Sequence, residues 1–119
     1  MFPFVRQVQI ACDFAVKTCA RLAGLEIPSH PDTEASFADL KSRIATAVTY
    51  VSSIAPGQID GRDDVDITFP VAGTPFTLKG HPYLTSFALP NFYFHAAMAY
   101  AILRYNGVDV GKGDFLNLI

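Results

Sequence analysis

The chain has 119 residues, enough for one domain. Half of them are hydrophobic and only 17% are charged, against roughly a quarter charged in an ordinary soluble domain. The core must therefore be large for the length, or be partly covered by another copy. A net charge of −2, with nine scattered Lys and Arg, excludes an electrostatic nucleic-acid binder.

The first predicted helix runs from Phe4 to Ala23. Val5, Val8, Cys12, Ala15, Cys19 and Leu22 recur at spacings of three and four, and Phe4, Ile10, Ala11 and Phe14 form a second apolar set. Pro3 suits the first turn, Asp13 and Lys17 pair at i, i+4, and Gly24 with Pro28 marks the end. Cys12 and Cys19 lie two turns apart, about 10 Å along a helix, too far to bridge. Both are expected to be small core residues. The N-terminal stretch MFPFVRQVQIACDF lacks a basic start followed by an unbroken apolar run and a small-residue cleavage site, so a signal peptide is not expected and a cytoplasmic location is.

Glu26 to Thr33 is a connection, and Ser36-Phe37-Ala38-Asp39 has the form of a capping box. The second helix is expected from there to about Ile54, with a stripe of Phe37, Leu40, Ile44, Ala47, Val48 and Val51. Lys41, Ser42, Arg43, Thr46 and Thr49 fall largely on the opposite, polar face. Alternation at Val65, Ile67 and Phe69, then at Phe76 and Leu78, predicts a short β-hairpin around residues 70–74, with Pro70 and Pro75 restricting the pairing. The acidic group Asp60, Asp63, Asp64 and Asp66 lacks EF-hand spacing and reads as a solvated loop.

The third helix is expected from Pro82 to Asn106, buried on most sides, with a kink or break at Pro90. No run of about 20 uninterrupted apolar residues suggests a membrane span. The tail is apolar at Phe115, Leu116, Leu118 and Ile119 and is expected to dock on the bundle or on a partner.

His30 and His81 read as surface residues. His95 differs, because Asn91, His95, Met98 and Ile102 share one helical face. On the first helix Arg6, Gln9 and Asp13 make a polar line. Antiparallel packing would bring Gln9 or Asp13 to His95 or Asn91, a pairing suited to acid–base work, to metal binding or simply to a buried hydrogen bond. A zinc or nickel site usually needs three protein ligands.

The stretches FPFVRQVQIACDFAVKTCARLAG and LPNFYFHAAMAYAILRYNGVDVGKGDF resemble an uncharacterised bacterial family within the DinB-like (YfiT-like) four-helix-bundle superfamily. The resemblance implies a mainly all-α, up-down bundle of three long helices, with a β-hairpin between the second and third, over residues 1–119. Some members of the superfamily bind zinc or nickel through three histidines. Carried over, the ligand positions fall near Ile10, at Asn91 and at His95, and only His95 is histidine. The resemblance also implies that the chain opens at the family's second helix, leaving an apolar groove that another copy would cover. The expectation is a homodimer, non-catalytic, with no cofactor, holding a small ligand near His95, Asn91, Asp13 and Gln9. The alternative is a metal-dependent transferase or hydrolase using His95.

Overall fold

Pro3, extended at φ −65° and ψ 165°, leads the chain into α1 (Phe4–Ala23). The computed structural model describes residues 1–118, so the expectation for Ile119 lies outside the described residues. Helix α1 stops at Gly24 in the left-handed region, φ 70°. There Gly24 N–H donates to Arg21 O at 3.2 Å and Leu25 N–H to Ala20 O at 2.9 Å, the paired bonds of a Schellman end. Arg62 Nε donates to Leu22 O, so a later segment also caps this terminus.

The connection then runs back beside α1, and α2 (Phe37–Ser53) starts at the expected capping box. Ser36 Oγ accepts from Asp39 N–H at 3.0 Å, and Asp39 Oδ2 accepts from Ala35 N–H at 2.9 Å. Phe4 meets Phe37 at 5.9 Å and Asp13 meets Arg43 at 2.8 Å. Helices α1 and α2 therefore run in the same direction, joined by a crossover, a departure from strict up-down alternation. Val8, Cys12, Val16, Leu40 and Ala47 form the core between them.

After a 3-10 turn at Pro56–Gln58, strands β1 (Asp66–Val71) and β2 (Thr74–Lys79) form the expected antiparallel hairpin. Its pairing reaches the turn, where Ala72 and Gly73 adopt φ 48° and 81°, a two-residue loop of the type that matches strand twist. Pro70 faces Pro75 one pair beyond the turn. In such a hairpin that is a non-hydrogen-bonded pair, so neither missing N–H interrupts the ladder. Ile67 and Phe69 point into the second core, with Leu22, Tyr83 and Ala88. Phe76, on β2, is exposed.

From Gly80 the backbone stays helical without a break. A short α3 (Gly80–Pro82) passes into a wide π-helical stretch, Tyr83–Ala88, and then into α4 (Leu89–Tyr105). Pro90 sits in the first turn of α4. The widened turn before it accommodates the missing N–H and the crowded ring, which answers the expectation of a kink or break. Arg21 bonds Tyr83 at 3.2 Å, and the Phe14 ring lies 5.8 Å from that of Phe87. His95 reaches Gln7 at 2.7 Å. These pairs make α4 antiparallel to α1.

Helix α4 is not buried on most sides in the single chain. His95 is its one buried residue, while Tyr93, Phe94 and Tyr105 are 55%, 57% and 91% exposed. Only the strip facing α1 is well covered. A last short helix, α5 (Lys112–Phe115), docks on α4 through Phe115 and Tyr100, whose ring centroids are 5.6 Å apart. Among the described residues no helix is long and apolar enough to cross a membrane.

Candidate functional site

Helix α1 carries polar side chains on two flanks, and each meets a different neighbour. On one flank lie Arg6, Gln9 and Asp13, the line expected to face His95. The structure turns it instead toward the crossover and α2. Arg6 pairs with Asp32 at 3.0 Å, Gln9 Nε2 donates to Glu34 Oε1 at 3.4 Å, and Asp13 pairs with Arg43 at 2.8 Å and Lys17 at 3.2 Å.

Arg43 is the centre of that network. It was expected on the polar face of α2, yet its side chain is 6% exposed. It also bonds Glu34 at 2.6 Å, Asp32 at 3.2 Å and the Pro31 carbonyl at 3.3 Å. Burial opposes its charge, but the bonds to Asp32 and Glu34 and the Asp13 charge outweigh that and raise its pKa. Three cations (Arg6, Lys17, Arg43) balance three carboxylates (Asp13, Asp32, Glu34). The arrangement ties α1, crossover and α2 together.

The other flank presents Gln7 to α4. Gln7 is 1% exposed, and its Nε2 donates to Phe2 O at 3.1 Å. Its Oε1 lies 2.7 Å from His95 Nδ1. Phe2 O can only accept, so the Gln7 amide nitrogen must face it. Oε1 then faces His95 and also can only accept, which puts the imidazole proton on Nδ1. Among the described residues no group pairs with Nε2. Phe14 stacks along the ring at 6.2 Å and Phe94 meets it edge-on at 5.1 Å. Burial first, then the charge of Arg6, lowers the His95 pKa, so near neutral pH the ring is uncharged with Nε2 as an acceptor.

Asn91, one turn before His95, does not join it. Its Nδ2 donates to Phe87 O at 2.8 Å along its own helix. Gln7 was the residue missed. A signal existed: it lies seven before Phe14, a glutamine on the apolar side of an amphipathic helix. The zinc or nickel centre implied by the resemblance does not fit these donors. Gln7, rather than a residue near Ile10, stands opposite His95, Asn91 is turned away, and no three of His, Cys, Asp or Glu cluster to hold a metal among the described residues. Cys12 and Cys19 are unpaired, and burial raises both thiols, which keeps them protonated.

Two concave surfaces flank the α1–α4 seam. One is an apolar groove of about 420 Å³ between α1, α2 and α4, walled by Cys12, Ala15, Ile44, Val48, Phe92 and Ala96 among others. The other, about 560 Å³, is lined by Met1, Phe2, Gln7, Phe94, His95 and Met98.

A family model described as a domain of unknown function, DUF1993, matches residues 1–116. The crystal structure of a DinB family member protein from Shewanella denitrificans is similar to this chain, with 41% sequence identity and a TM-score of 0.88. The match covers 98% of this chain and 66% of that one, so this chain spans just under two thirds of that relative's length. Among curated proteins none matches.

Proposed function

The chain belongs to the DUF1993 family of domains of unknown function, and from that premise we propose that it is a non-catalytic helical bundle, working in the cytoplasm, that self-associates through the groove between α1, α2 and α4. The observation that carries this reading is the makeup of that groove. Its lining is apolar apart from the Ser52 side chain, which suits neither a charged nor a strongly polar occupant. The apolar stripe of α2 is only half used within the chain: Leu40 and Ala47 are buried, while Phe37, Ile44 and Val48 are 68%, 43% and 59% exposed. Each copy thus offers both a hollow and an apolar ridge, the self-complementary pair that a two-fold interface needs. Exposed apolar surface of this kind is usually covered by a partner, and a second copy is always at hand. The donor set around His95 supports the non-catalytic half of the reading.

Light scattering coupled to size-exclusion chromatography tests this. The wild-type chain is expected to elute as a dimer at micromolar concentration. Val48→Glu is expected to elute as a monomer with unchanged helical circular dichroism, because that side chain is already largely outside the single-chain core. A wild-type monomer, or a Val48→Glu dimer of undiminished strength, overturns the assignment.

A further inference from the structure

The geometry points to the His95 hollow as a binding site for an uncharged molecule with a flat apolar body and one hydrogen-bond donor, of which a phenol is the simplest example. This goes beyond self-association and is separable from it, since the hollow and the groove share no lining residue.

The polar half of the site is a relay of fixed direction. The Phe2 carbonyl orients the Gln7 amide, and that amide holds the Nδ1 proton of His95. What remains is Nε2, an acceptor that no described residue uses. His95 is 9% exposed and Gln7 is 1% exposed, so the ring is held in one orientation by the Gln7 bond. His95 lines the hollow and its Nε2 is not among the buried atoms left without a partner, so a ligand that donates to Nε2 takes the place of water there and gains a hydrogen bond of ordinary net worth. A cation would gain nothing there from a carboxylate, because the carboxylates of α1 and the crossover are engaged with Arg6, Lys17 and Arg43. An anion would meet a lone pair. A neutral donor is the match.

The apolar half sets the shape. Phe2 and Phe94 supply ring surface, and Met98 supplies a thioether that adapts to an aromatic edge. The volume lies within the range of small-molecule sites. Phe94 is 57% exposed and Phe2 53% exposed, surface that a flat body would cover.

The test compares phenol with anisole, which has nearly the same body but no donor, on the wild-type chain. Imidazole nitrogen NMR reads the site directly. In the free protein His95 is expected to show a protonated Nδ1 and a bare Nε2. Phenol is expected to move the Nε2 resonance as it saturates, and to bind about fivefold more tightly than anisole, the worth of one ordinary hydrogen bond. Phe94→Ala, a change at an exposed position, is expected to weaken both probes alike. Equal affinity for the two probes, an Nε2 resonance unmoved at saturating phenol, a proton found on Nε2 in the free protein, or indifference to Phe94→Ala each overturns the site.

Discussion

At the scale of single residues, the glutamine opposite His95 decides more than the histidine does. An imidazole on an apolar helix could present either nitrogen. Here one carbonyl, one amide and the rule that a carbonyl oxygen cannot donate select a single tautomer. Burial adds a pH consequence. The folded ring resists a proton that the unfolded ring accepts near its ordinary pKa of about 6.5. With the folded pKa lowered, this contribution to stability is complete above about pH 6.5 and is lost as the pH falls from there toward the folded value. Urea midpoints of wild type and His95→Gln, taken at pH 7.5 and 5.5, should show the wild type losing more on acidification. Equal losses would mean that His95 does not carry the effect. The sequence disclosed that His95 was unusual, since it stands alone among apolar neighbours. It did not disclose its partner, because a 3.6-residue repeat says which side chains share a face but not which of two neighbouring helices that face meets.

At the scale of elements, the joints explain what pattern reading caught and what it missed. Both ends of α1, the start of α2 and the hairpin were legible from Pro3, Gly24, the Ser36–Asp39 box and the alternation at Ile67 and Phe69. Each of these signals is local. The crossover was not legible as a direction, because residues 24–36 have no apolar period and are placed by distant side chains, Arg43 above all. Charged residues are taken to face water, so Arg43 was read as surface. The joint between β2 and α3 is equally hidden. A Cβ on Gly80 would stand 2.2 Å from the Arg62 carbonyl oxygen, a clash with backbone that no rotamer relieves. Gly80→Ala is therefore expected to cost about 2–3 kcal/mol, in line with overpacked sites. Thermal or urea denaturation would measure it, and a cost below about 0.5 kcal/mol, the size of an ordinary surface substitution, would show that Arg62 yields easily. The same test reports on the end of α1, since Arg62 also caps Leu22.

At the scale of the whole molecule, two cores and one ion network hold the helices in place. The α1–α2 core contains Val8, Cys12, Val16, Leu40 and Ala47, and the hairpin closes the other over Leu22, Tyr83 and Ala88. Beside the first core, Arg43 holds the crossover. Removing one partner from a buried charge cluster leaves the rest uncompensated, at a cost of about 3–5 kcal/mol. Arg43→Met is expected to lose that much stability by urea denaturation, and a loss under about 1 kcal/mol would place the network with ordinary surface pairs. The wide turn at Tyr83–Ala88 has a reach beyond its own six residues. Successive residues of a helix differ by about 100° in bearing, so the turn sets the phase of everything after it. In that phase His95 meets Gln7 on one side of the α1 seam, while Phe92, Ala96 and Ala99 line the groove on the other. A chain one residue shorter in this stretch would rotate both sets off their targets together. Length changes in the crossover have no such leverage, which makes Tyr83–Ala88 the segment where the spacing of residues, more than their identity, is under constraint.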